Sequence, residues 1–66
     1  MNLTLNGNTR NYPPLATLPE LLQHLQLDPT RVAIEHNGTI VPQDSFAATA
    51  LNDGDRLEIV QFVGGG

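Results

Sequence analysis

The sequence predicts an α+β domain in which one amphipathic helix covers one face of a small mixed sheet. Apolar and polar residues alternate in stretches at the start, middle and end of the chain, as they do in half-buried strands, while "TLPELLQHLQL" between them shows helical spacing. Size bounds the rest. A chain of 66 residues supports one small core, and folding removes only about 60% of the surface its unfolded form exposes. An enclosed active site has little room there.

"MNLTLNG" puts Met1, Leu3 and Leu5 on one face and Asn2, Thr4 and Asn6 on the other, then reaches an Asn6-Gly7 turn signal. "NTRNY" returns as a short second strand, and Pro13-Pro14 ends it because proline has no N–H to give the ladder. The helix is expected from about Leu18 to Leu27. Thr17 and Glu20 form a capping box, Pro19 occupies the tolerated first turn, and Leu18, Leu21, Leu22 and Leu25 make the apolar stripe. Asp28-Pro29 stops it.

"RVAIEHNGTIVP" offers a third strand with Val32 and Ile34 inward, an Asn37-Gly38 turn, and a short fourth strand that Pro42 ends. "QDSFAATALNDGD" reads as a connector with Phe46 and Leu51 as core anchors, closed by an Asp53-Gly54 turn. "RLEIVQFV" is the longest strand-like run. Its Leu57 and Ile59 face the helix, while Glu58, Val60 and Phe62 alternate onto the other face.

The first and last strands are the natural central pair, and the helix-containing connection between them lets them run parallel. That is the β-grasp, or ubiquitin-like, roll: four to five strands on one helix. Residues 1–63 form the domain, and 64–66 leave the central strand as a flexible glycine tail.

Composition excludes several functions. The net charge is −4, and Arg10, Arg31 and Arg56 are widely spaced with no adjacent aromatic platform, which argues against nucleic acid. No stretch approaches the roughly 20 apolar residues that span a bilayer, and the first residues lack a signal peptide's basic start and apolar run. The expectation is a cytoplasmic monomer when free. Without cysteine there is no disulfide, no cysteine-ligated zinc and no thiol nucleophile. His24 and His36 have no metal-ligand spacing, and the Asp53-Gly54-Asp55 turn with Glu58 lacks that of a calcium loop. The chain also has no lysine, so its N-terminus is its only amine nucleophile.

Three terminal glycines bring no side chain to bury and lose the most freedom on ordering, so stability does not explain them. Lacking Cβ atoms, Gly64, Gly65 and Gly66 suit a channel too narrow for side chains. Val60, Phe62 and Val63 beside them, with Glu58, form a candidate partner-docking surface on the uncovered sheet face. Asp53, Asp55 and Glu58 would steer a basic partner.

"NDGDRLEIVQFVGGG" resembles the C-terminal signature of the ThiS family, the β-grasp sulfur carriers of thiamine thiazole synthesis. "MNLTLNG", "LLQHL" and "NGTIVPQDSF" fall in matching order, so the resemblance covers essentially the whole chain. It implies that the Gly66 carboxylate is adenylated with ATP by a ThiF-type adenylyltransferase, converted to a thiocarboxylate by a sulfur donor such as a cysteine desulfurase, and used by thiazole synthase. The carrier itself would bind no cofactor or metal and would be a cosubstrate rather than an enzyme. A molybdopterin-synthase small-subunit-type carrier, a ubiquitin-like protein modifier and an interaction module with an inert tail are the other readings.

Overall fold

Both Asn-Gly pairs form hairpin turns of one type, and the rest of the sheet is built around them. In the computed structural model, which describes residues 1–63, Asn6 and Gly7 have φ of 49° and 83°, and Asn37 and Gly38 have 49° and 86°. Two successive positive angles match the right-handed twist of the flanking strands. The first turn joins β1 (Asn2–Leu5) to β2 (Asn8–Asn11) and the second joins β3 (Val32–His36) to β4 (Thr39–Val41). The final strand is β5 (Arg56–Gln61), and the single α-helix, α1, spans Leu18–His24. The expectations for Gly64, Gly65 and Gly66 lie outside the described residues.

The five strands run in the order β2-β1-β5-β3-β4. β1 and β5 are parallel, with Thr4 opposite Arg56 and Leu5 opposite Leu57, while the other pairs are antiparallel. The expected central pair therefore forms, with the helical connection making the parallel arrangement possible. Leu18, Leu21 and Leu22 of α1 are fully buried among Leu3, Val32, Ile34, Leu57 and Ile59 of the sheet. Phe46 and Leu51 anchor the connector in this core as expected, and Tyr12 completes it. No helix among the described residues is long and apolar enough to cross a membrane.

Three local features differ from the expected ones. The helix ends at His24 rather than Leu27, before Asp28-Pro29 is reached. Gln26 adopts φ of 60°, its N–H bonds the Gln23 carbonyl at 3.1 Å, and the Leu27 N–H reaches back to the Leu22 carbonyl at 2.9 Å. This is a Schellman closure with glutamine in the position glycine usually takes. A left-handed conformation costs a residue with a Cβ about 1–2 kcal/mol, of which glycine's greater unfolded freedom returns part. Gln26→Gly is therefore expected to raise stability by about 0.5–1 kcal/mol, read as a higher denaturant midpoint with an unchanged slope.

The capping box is only partly made. Thr17 is extended, in a β-bridge with Ala50, and its hydroxyl caps no backbone N–H. Glu20 instead accepts from the Ala16 N–H at 3.3 Å and from the Thr17 hydroxyl at 3.4 Å. The connector also holds regular structure, since Gln43–Ala48 form a 3₁₀ helix whose buried residue is Phe46.

Candidate functional site

Strand β5 is held on both sides as far as Ile59 and on the β3 side as far as Phe62. On the β3 side the ladder runs from His36 opposite Leu57 to Val32 opposite Gln61, and the Phe62 N–H donates to the Arg31 carbonyl at 2.7 Å. On the β1 side, regular pairing stops at Leu57 because the chain turns at Asn6. The Asn6 side chain then stands in for the missing peptide. Its Oδ1 accepts from the Ile59 N–H at 2.8 Å, its Nδ2 donates to the Ile59 carbonyl at 3.1 Å, and its own N–H donates to the Leu57 carbonyl at 2.9 Å.

Asn37 does similar work at the other end of β5. Its Oδ1 accepts from the Arg56 N–H at 2.8 Å, and its Nδ2 donates to Asp55 Oδ1 at 3.1 Å. Asp55 also accepts from the Asn52 N–H at 2.9 Å and from His36 Nε2 at 2.7 Å, which requires the His36 proton to be on Nε2. Desolvation raises the Asp55 carboxyl, but the hydrogen bonds from His36, the Asn52 backbone and Asn37 outweigh it and hold it below the ordinary 3.8.

Because the folded value is depressed, this stabilisation is complete above 3.8 and fades as pH falls through the lower folded value. Asp55→Asn is expected to cost about 1–3 kcal/mol at neutral pH, since donors would face an amide that is itself a donor. The gap between variant and parent should narrow on acidification below that range. Urea unfolding at a series of pH values reads both effects.

Asp55 is thus buried and structural, which corrects the expectation that it steers a partner from the surface. Asp53 accepts from the Asn2 N–H at 2.6 Å and holds the same turn. Glu58 remains exposed on the open face, directly opposite Glu35 across the β3–β5 ladder. Among the described residues no group of three or more His, Asp or Glu is placed to hold a metal ion. Among the described residues the His36 ring is hydrogen-bonded to Asp55 at 2.7 Å and lies 3.4 Å from Asn37 Nδ2.

The face away from α1 is apolar toward the tail. Val60 is 59% exposed, Phe62 54% and Val63 86%, where Leu57 and Ile59 on the same strand are 2% and 8%. Ile40, on β4 at the same open face, is 76% exposed. Val60, Phe62 and Val63 are thus exposed apolar side chains in the stretch of sequence just before Gly64. The sequence alternation located Val60, Phe62 and Glu58; the roles of Asn6, Asn37, His36 and Asp55 were missed. One signal for Asp55 was available, because it shares the two-residue period of Leu57 and Ile59 and so points inward.

The model of the ThiS family matches residues 3–66. The chain belongs to the ThiS family. It is 37% identical to the sulfur carrier protein ThiS of Bacillus subtilis, over 97% of this chain and 98% of that one. The crystal structure of ThiS from Geobacter metallireducens, described as a thiamine biosynthesis protein, superposes with a TM-score of 0.84 at 36% identity over 100% of both chains. The resemblance also extends to larger proteins. The chain is 50% identical to a thiazole synthase of Paramagnetospirillum magneticum and 38% identical to one of Magnetococcus marinus, and spans 20% of the length of each.

Proposed function

We propose that this chain is a sulfur carrier that donates sulfur to the thiazole ring in thiamine biosynthesis, with the carboxylate of Gly66 as the reacting group. The observation that carries the reading is the course of β5: a strand clamped as far as Ile59 leads through exposed Val60, Phe62 and Val63 into a sequence of three glycines. The names of the ThiS relatives support the assignment. In the two thiazole synthases a segment like this chain shares a polypeptide with the remainder of the enzyme, which supports such an enzyme as the sulfur acceptor.

In the proposed cycle an adenylyltransferase joins the Gly66 carboxylate to AMP from ATP and releases pyrophosphate. Sulfur at the sulfide level then attacks the acyl carbonyl, the C–S bond forms as the C–O bond to AMP breaks, and AMP leaves a thiocarboxylate. Where a cysteine desulfurase is the donor, its persulfide sulfur attacks instead, and a thiol reductant cleaves the resulting acyl disulfide to the thiocarboxylate, the thiol itself being oxidised to a disulfide. Thiazole synthase takes the sulfur, and hydrolysis regenerates the carboxylate. The carrier lowers no barrier and acts as a cosubstrate, and the proposed cycle runs in the cytoplasm. The absence of lysine and cysteine leaves no side-chain amine or thiol to capture the acyl adenylate. Val60, Phe62 and Val63, with Glu58, dock the partner, and Gly64, Gly65 and Gly66 thread into its site.

Reconstitution with ATP, a ThiF-type enzyme and sulfide tests this. Intact-mass measurement first establishes that Gly66 carries a free carboxylate, and after reaction should show an oxygen-to-sulfur exchange in the C-terminal peptide. Conjugates of higher mass would favour a protein modifier. An unchanged mass, with the enzyme active on another carrier, would reject the proposal. A carrier extended by one bulky residue after Gly66 should fold normally and support no ATP–pyrophosphate exchange.

A further inference from the structure

Asn6 and Asn37 clamp the same strand, and each is followed by glycine. Asn6 holds Ile59 through both amide atoms, and Asn37 holds Arg56 and Asp55. We propose that Asn6 and Asn37 are deamidation sites guarded by the fold, at which conversion to aspartate or isoaspartate releases β5 and so limits the working life of the protein.

The chemistry needs only the chain and water. The backbone nitrogen of the following glycine attacks the asparagine Cγ, the Cγ–N bond breaks, and ammonia leaves with a proton. Water then opens the resulting succinimide at either carbonyl, giving aspartate or isoaspartate. A glycine nitrogen is the least hindered attacker because no Cβ stands beside it. Building a Cβ on Gly7 or Gly38 meets no atom within 4 Å, so space does not require glycine at either turn; its positive φ does. The turn geometry that makes the hairpins thus imposes the reactive pair.

The fold also supplies the protection. Attack requires the side-chain carbonyl to swing toward the following nitrogen, and in both turns that carbonyl oxygen already accepts a β5 N–H at 2.8 Å. The turn must open first, so reaction proceeds from a locally unfolded state. Closure is impaired afterwards. Aspartate at position 6 loses the donor to the Ile59 carbonyl and sets a carboxylate against it; at position 37 it loses the donor to Asp55 and faces another carboxylate. Isoaspartate adds a backbone carbon that the two-residue turn has no place for.

The test is a time course of the full chain at mildly alkaline pH, native and in urea, with peptide mass mapping of each asparagine. In urea both Asn-Gly sites should convert; in the native protein each should convert about tenfold or more slowly, as expected for reaction through local opening. Equal rates in both states would overturn the guarding role. Amide hydrogen exchange on Asn6→Asp should show the Ile59 N–H exchanging about tenfold or more faster than in the parent, because the carboxylate that can still accept it is repelled by the Ile59 carbonyl. Parent-like protection would overturn the release of β5. Asn6→Gly, which keeps the backbone angle without the amide, should do the same and covers the case in which the aspartate variant fails to fold. Undiminished Ile59 protection in the glycine variant would overturn the clamp.

Discussion

Gly65→Val should abolish, or nearly abolish, thiocarboxylate formation and leave the unfolding midpoint of the carrier almost unchanged. Three extended residues reach about 10 Å, enough to carry a carboxylate from a docked domain into a neighbouring active site. A channel that admits a glycine backbone has no space for a branched side chain, and a β-branched residue also restricts the backbone angles available to the tail. The buried core of the described residues ends at Ile59, and Gly65 has no side chain to remove. Misplacement of a reacting group by about 1 Å can cost about 100-fold in rate, and an excluded tail is a larger displacement. Pyrophosphate exchange and intact mass read the activity, and a urea titration reads the fold. Normal sulfur loading would remove the narrow-channel argument, while equal loss of stability and activity would place Gly65 within the folded unit.

Most of the architecture was legible because it rests on patterns of period two and on turns with a single steric solution. Leu3, Val32, Ile34, Leu57 and Ile59 all point inward as their alternation requires, and both Asn-Gly pairs turn where expected. What escaped depends on tertiary partners. Gln26 has no intrinsic preference for a left-handed angle; it takes one because the Leu27 N–H then reaches the Leu22 carbonyl and the packed helix is closed early. Thr17 was expected to cap α1, but the backbone there is extended alongside Ala50, with the Leu51 N–H bonded to the Ala16 carbonyl at 2.9 Å. The 3₁₀ helix at Gln43–Ala48 buries only Phe46, too little for an apolar period to reveal it.

The candidate site shows the same division. Exposure of Val60 and Phe62 follows from strand parity, whereas the clamps of Asn6 and Asn37 depend on residues roughly fifty and twenty positions away, separations for which local sequence carries no signal. Charge was the least legible property. Asp53, Asp55 and Glu58 look equivalent in a row of acids, yet one anchors a turn, one is buried under three donors and only the last faces outward from the open sheet.

Leu57 and Phe62 lie on one continuous run of backbone, and truncating each to alanine should separate fold from docking. Leu57 is 2% exposed at the centre of the core, so Leu57→Ala should cost about 2–5 kcal/mol from lost transfer energy and the cavity left behind. In a domain this small that is a large share of a total stability of about 5–15 kcal/mol, and part of the population should be unfolded under native conditions. Phe62 is 54% exposed on the opposite face, so Phe62→Ala removes little packing and should cost well under the roughly 3–5 kcal/mol of a buried phenylalanine. Its backbone N–H still reaches the Arg31 carbonyl, which keeps the strand paired to its end. Affinity for the adenylyltransferase should instead fall by about 2 kcal/mol or more, a loss of roughly thirtyfold, because an aromatic anchor at the centre of an interface carries a disproportionate share of binding. Denaturant midpoints and calorimetric affinities of the two variants measure the contrast. A large stability loss for Phe62→Ala with unchanged affinity would assign the ring to the core and move the search for the docking surface to Val60 first, then Val63 and Ile40, the other exposed large apolar side chains among the described residues.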